Sequence, residues 1–131
     1  MDTSALVAII GQELGYERIE VALTDATHRA ISAGSWIEFA TVLLRKFNVL
    51  VPADVLDALA HGYRLDVMPV TVGHTVIAAE GYAAFGRGSG HPAQLNFGDC
   101  FSYALAKATG EPLLFKGNDF THKDIRPALP T

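Results

Sequence analysis

Apolar residues recur along this chain at two spacings, and the switches between them divide it into elements. "SALVAIIGQE" carries apolar residues at helical spacing behind a Thr-Ser start. "GYERIEVALTDA" places Ile19, Ala22 and Leu23 on one face with charges opposite, so the spacing predicts a second helix. "HRAISAG" is short and bounded by turn formers, as a strand would be. Next come two helical stretches, "SWIEFATVLLRKF" with Ser35 available as its cap, and "VPADVLDALAHG", which starts on Pro52 and stops near Gly62. "RLDVMPV" reads as another strand, "TVGHTVIAAEGYAAFG" as a helix, and "GRGSGHPAQL" as an exposed loop. "NFGDCFSYALAKATG" predicts a helix ended by Gly110, "EPLLFKG" a strand, and "IRPAL" an edge strand in which Pro127 lacks a donor.

No repeat and no low-complexity tract divides the chain, so residues 1–131 form one domain. Strands alternating with helices predict a three-layer α/β/α sandwich around a mainly parallel sheet. In that architecture helix N-termini and strand C-termini share one edge, where ligands bind. Four acids fall there: Asp2 before the first helix, Glu38 in the opening turn of the third, Asp99 opening the sixth, and Asp119 after "PLLFKG". A helix of ~11 residues runs ~16 Å away and a strand of ~5 returns about as far, so Asp99 and Asp119 become neighbours. Carboxylates ~6 Å apart repel by ~3 kcal/mol per pair at an effective dielectric near 20. A cation must sit among them. Oxygen ligands without a Cys or His cluster select a hard divalent ion, Mg²⁺ or Mn²⁺. Such ions serve phosphate chemistry by generating hydroxide and stabilising the oxygens of a phosphodiester.

Charge and composition change the picture in three places. Ten Lys and Arg against 14 Asp and Glu give a net charge of -4, which ordinarily argues against nucleic acid. If four of the 14 acids serve a metal, ten remain against ten bases, and a polyanionic partner is no longer excluded. Half of the 131 residues are hydrophobic and the mean hydropathy is +0.24, which leaves apolar surface for a partner: an oligomer, here a homodimer, or a complex. No apolar run reaches the ~18 residues of a membrane span, and no basic start precedes an apolar signal segment, so the expected compartment is the cytoplasm. A single cysteine, Cys100, makes neither an internal disulfide nor a thiolate zinc site.

Each acid has an ordinary alternative. Asp99 and Asp2 would serve as helix caps, and Asp119 in "GNDF" as a turn residue. Glu38, hemmed in by Trp36, Ile37, Phe39 and Ala40, is harder to explain as a solvated carboxylate, although helical spacing allows it one wet face. Arg87, His91, Lys107, Lys116, His122 and Lys123 fall in the C-terminal half, where Lys116 and Arg87 are the favoured RNA contacts and solvated surface explains the others equally well. His28, His61 and His74 lack spaced partners, and "GRGSGH" precedes rather than follows a strand, so it is no phosphate fingerprint. Leu6, Val7, Ile10, Tyr16, Ile19 and Leu23 form apolar stripes that suit core or partner surface.

"MDTSALVA", the isolated glutamate in "SWIEFA", and "LNFGDCFSYALAKATGEPLLFKGNDF" resemble PIN-domain ribonucleases of the VapC toxin type over nearly the whole chain. The last block is the most specific, joining an acidic helix start, a Gly turn, an apolar strand and a terminal Asp-Phe in one order. The resemblance implies a metal-dependent endoribonuclease leaving a 5′ phosphate, acting on tRNA or rRNA and neutralised by a VapB-type antitoxin. Carried over, Asp2, Glu38, Asp99 and Asp119 are the acidic ligands of Mg²⁺ or Mn²⁺. Ser4 corresponds to a small polar residue near the metals, and Asn96 supports that shell. The chain departs from the family pattern where only Met1 precedes the first aspartate, and where Phe115 and Lys116 stand in place of a strand threonine. Receiver-type switches need paired acids after the first strand, and haloacid-dehalogenase-like phosphatases need Asp-x-Asp, whose second position is Ser4 here. The remaining alternative is a catalytically inactive PIN-like module that binds RNA or protein.

Overall fold

The computed structural model describes residues 1–120 and 124–130. Its elements, in chain order, are α1 (Thr3–Ile10), α2 (Tyr16–Asp25), β1 (Ala30–Ser32), α3 (Ala33–Arg45), α4 (Pro52–Gly62), β2 (Asp66–Met68), α5 (Val72–Phe85) and α6 (Asp99–Thr109). Every helix the periodicity predicts is present. Pro52 opens α4, and Gly110 ends α6 in the left-handed conformation at φ 72°. One cap differs: α3 begins at Ala33 under Ser32, whose side chain accepts from the Gly34 amide at 3.2 Å, and Ser35 is already inside the helix and buried. Glu38 consequently lies in the second turn of α3 rather than the first.

The sheet is parallel, as predicted, but most of it is rudimentary. β1 pairs with β2 in parallel, with Ala30 opposite Asp66 and Ser32 opposite Met68. Beyond β1 the layer continues through single hydrogen bonds: the Met1 nitrogen donates to the Ala30 carbonyl at 2.6 Å and the Asp2 amide to the Leu114 carbonyl at 2.9 Å. Leu113 then makes a parallel bridge with Pro127. The predicted strands "EPLLFKG" and "IRPAL" are thus reduced to bridges, because Pro112 and Pro127 supply no ladder N–H. Gly86 and Leu95 form one more parallel bridge at the two ends of the loop expected between α5 and α6.

Helices cover this layer on both sides. Leu6, Ile31, Phe39 and Leu43 join α1, β1 and α3 in one cluster. Ala5, Ala8, Ile9, Ile19, Leu23 and Leu114 join α1 to α2 and the Leu114 segment. Leu95, Cys100, Tyr103, Ala106, Leu113 and Phe120 form a third under α6, against which α5 packs. Complete burial of Leu6, Phe39 and Leu43 contributes roughly 1.5–3 kcal/mol each. Ala5 and Leu6 face different clusters, so α1 is a central helix that fixes residue 2 relative to α3 and α6. Among the described residues no helix is long and apolar enough to cross a membrane.

Candidate active site

The four acids that the edge argument singled out line one open cleft, together with Thr3, Ser4, Glu13, Lys46 and Lys116. Each reaches it for a local reason. Asp2 is the N-cap of α1: its backbone is extended and its Oδ2 accepts from the Ser4 amide at 3.0 Å. Its Oδ1 accepts from the Ser102 hydroxyl at 2.5 Å. Because that hydroxyl has a single proton, the 2.9 Å contact between Ser102 and Ser35 is a donation from Ser35. Asp2 is therefore buried yet satisfied, at the end of a relay running from α3 through α6.

Asp99 is a helix-start residue in the full sense. Its Oδ2 accepts from the Asn96 amide at 3.0 Å while Asn96 Oδ1 accepts from the Asp99 amide at 2.9 Å, the reciprocal pairing of a capping box. Asn96 is thus fixed beside Asp99, and the cap holds the carboxylate at the cleft. Capping does not compete with a site role here. Gly98 precedes it, and a β-carbon there would run into the Glu38 carboxylate, so Glu38 lies directly over the start of α6. Glu38 is only partly buried, but its carboxyl is pushed above the usual range, first by burial and further by the Asp2 charge, against a lowering contribution from Thr3. Asp119 is exposed on the segment after the Leu113 bridge, beyond a left-handed turn at Gly117 with φ 99°. Ser4 braces that segment, its hydroxyl accepting from the Lys116 amide at 3.0 Å.

The other candidates lie elsewhere. Arg87 is exposed at the start of the loop after α5 and is absent from the cleft wall, its amide donating to the Leu95 carbonyl at 3.1 Å. His91 accepts from the Ala93 amide through Nδ1 and packs edge-on against Phe85, a structural role. Lys107 pairs with Asp124 at 2.7 Å and His28 with Asp66 at 3.6 Å. His122 and Lys123 lie outside the described residues. Five residues were not assigned to the site from the sequence: Thr3, Glu13 and Lys46, which line the cleft, and Ser35 and Ser102, which back Asp2 from the interior. Two of them carried a signal. Lys46 follows Glu38 by two strides of four through Val42, which also lines the cleft, and Ser102 follows Asp99 by three.

Carboxylates and hydroxyls facing an open cleft are the oxygen donors that hard divalent cations take. Among the described residues no three His, Cys, Asp or Glu side chains converge tightly enough to form a cage of protein ligands.

Residues 1–126 match the family model of the PIN domain. The chain is 44% identical over 128 residues to Ribonuclease VapC42 of Mycobacterium tuberculosis, covering 98% of this chain and 97% of the relative. It is 46% identical over 129 residues to Ribonuclease VapC28 of the same organism, with 98% and 96% covered, and 43% identical over 131 residues to Ribonuclease VapC30, with 99% and 98% covered.

Proposed function

This chain belongs to the PIN domain family, and from that premise we propose that it is an endoribonuclease toxin of the VapC type, hydrolysing RNA phosphodiester bonds with the help of a divalent metal ion. The observation that supports the reading is the open cleft whose lining includes Asp2, Glu38, Asp99 and Asp119, drawn from four separate parts of the chain. Asp2, Asp99, Asp119 and Glu38 would hold Mg²⁺ or Mn²⁺. A bound ion of this kind supplies a lowered water pKa and neutralises charge on a phosphodiester. The chain's own residues supply the rest. Ser102 and Ser35 hold Asp2 in one orientation, and the capping box holds Asp99. Glu38 lies directly over the start of α6, which sets its carboxylate next to the segment that carries Asp99. Lys116 lies beside the acids as a cationic contact for the RNA backbone.

The relatives' ribonuclease names support RNA as the substrate class, and the substrates proposed are tRNA or rRNA in the cytoplasm. The partners proposed are a VapB-type antitoxin and a second copy of the chain. Their support is the exposed apolar surface, including Leu14, Leu50, Val72 and Phe97, each at least 75% exposed.

The test is cleavage of mixed tRNA and rRNA by the purified, antitoxin-free protein with Mg²⁺ or Mn²⁺, beside EDTA and an Asp99→Asn variant. Discrete fragments that vanish with EDTA and fall by about a hundredfold or more in the variant are expected. A folded protein that cuts nothing, or cuts equally well as Asp99→Asn, would return Asp99 to the role of a cap and the chain to that of a binding module.

A further inference from the structure

The cleft holds a fifth carboxylate and two ammonium groups that metal binding does not explain. Lys116 Nζ donates to Glu13 Oε1 at 3.0 Å, and Lys46 Nζ stands 3.8 Å from Glu13 Oε2. One carboxylate thus draws two lysines, from distant parts of the chain, onto the same wall. Their backbones are placed by elements already anchored to the site. Lys46 ends α3 eight residues after Glu38, about 12 Å along the helix axis at 1.5 Å per residue. Lys116 is fixed through its amide to Ser4, two residues from Asp2.

The cleft therefore carries a cationic wall as well as its acids, with Lys46 and Lys116 gathered by Glu13. Lys116 and Gly117 also line an adjoining hollow that includes Arg18 and Phe115. Lys46 is exposed at 58%, while Lys116 and Glu13 are half-buried at 33% and 32%. All three reach solvent, where ammonium–carboxylate pairs contribute ~0–1 kcal/mol, so a phosphate can replace Glu13 at little cost.

We propose that Lys46 and Lys116 form a phosphate-binding flank that grips the RNA backbone next to the scissile position, and that Glu13 is the counter-ion which the phosphate displaces. This rests on the ribonuclease reading and deepens it, assigning the direction in which the strand leaves the acids: across the lysine pair, toward Arg18. Glu13 sets the grip. It keeps the two ammonium groups together on the wall while the cleft is empty of substrate and competes with phosphate when the strand arrives.

The experiment is equilibrium binding of a fluorescein-labelled single-stranded RNA to the Asp99→Asn protein between 50 and 200 mM KCl, alone and combined with Lys46→Ala, Lys46→Arg, Lys116→Ala or Glu13→Gln. Each alanine variant is expected to weaken binding several-fold and to flatten the slope of log K against log salt by about 0.7, the contribution of one phosphate contact on a single strand. Lys46→Arg restores the slope. Glu13→Gln is expected to tighten binding several-fold, whereas a merely structural ion pair would give no gain. Unchanged slopes in the alanine variants, or a Glu13→Gln protein that binds no more tightly, overturn the proposal. Thermal melting of each variant shows that it is folded. Cleavage by the wild-type protein, run in parallel, separates the two levels. If it cuts RNA while the slopes stay fixed, only the lysine flank fails; if it neither cuts nor binds, the ribonuclease reading falls and the flank with it.

Discussion

Replacing Gly98 by alanine separates the site from the stability of the fold. Gly98 has φ -62° and ψ -37°, helical values that alanine adopts freely, so the smaller entropy of the unfolded chain favours the variant by ~0.4–1 kcal/mol. Opposing this, the new β-carbon would overlap Glu38 Oε2 and come within 2.6 Å of Glu38 Cδ. Ordinary carbon contacts begin near ~3.5 Å and Oε2 lies closer than Cδ, so the carboxylate must retreat by more than ~1 Å. The obstructing atoms are the far end of a flexible side chain rather than backbone, and an off-rotamer adjustment costs ~0.5–1.5 kcal/mol. The two contributions nearly cancel. Stability is expected to change by less than ~1 kcal/mol, a shift of a few degrees in Tm for a domain of this size. Activity should not be spared, because a displacement of ~1 Å in a positioned group can cost ~10²-fold. The assay pairs thermal unfolding by circular dichroism with RNA cleavage in Mg²⁺, using Glu38→Gln as the reference for loss of the carboxylate. A Gly98→Ala protein that melts normally and cleaves at the wild-type rate would refute the placement of Glu38 at the reacting centre. One that fails to fold would refute the energetic reasoning.

Three further outcomes follow from the same geometry. Ser102→Ala removes the donor to Asp2 Oδ1 and the acceptor of Ser35 in a fully buried place, so urea unfolding should show a loss of ~1–3 kcal/mol and cleavage should fall, with Ser102→Thr recovering part of both. Gly34→Ala drives a β-carbon into the Phe101 ring between α3 and α6, and an overpacking cost of ~1–3 kcal/mol in the same measurement is expected, with Gly34→Ser no better. Burial tends to raise the Asp124 carboxyl, but hydrogen bonds from Lys107 and Tyr103 outweigh it and hold the group below its ordinary 3.8. A depressed carboxyl stabilises the fold above its unfolded pKa and loses that contribution as pH falls through its folded value, so Lys107→Ala should lower Tm at pH 7 and approach wild type once the pH is low enough to protonate Asp124 in the fold.

The helices were legible because each carries its own start, stop and stripe: Pro52 and Gly110 need no tertiary context to act. The sheet was legible in type and not in extent. Its pairs are parallel, but β1 and β2 are three residues long and the Leu113 segment is a single bridge between prolines, so no strand offers enough alternation to set its length. The Ser35 cap was misplaced for a similar reason: two serines three apart both suit an N-terminus, and what decides is that Ser35 is needed inside, against Ser102. The four acids could be brought to one edge because that requires only the order of elements. Asn96 and Ser4 could be assigned to the surroundings of the acids only through resemblance, and Glu13 could not be assigned at all, since it follows α1 in a turn where spacing carries no information about direction.

The bonds that hold the first acid tie the beginning of the chain to its last third. Asp2 is held by Ser102, 100 residues away, and Ser4 by Lys116, 112 residues away. Contacts of such separation carry a large loop-closure entropy and form after local helices have. A chain emerging from the ribosome can therefore complete α1, α3 and α4 while Asp2 still lacks its partners. The cleft is thus assembled last: its first acid acquires its hydrogen-bond partners only after the segments carrying Ser102 and Lys116 have themselves been made.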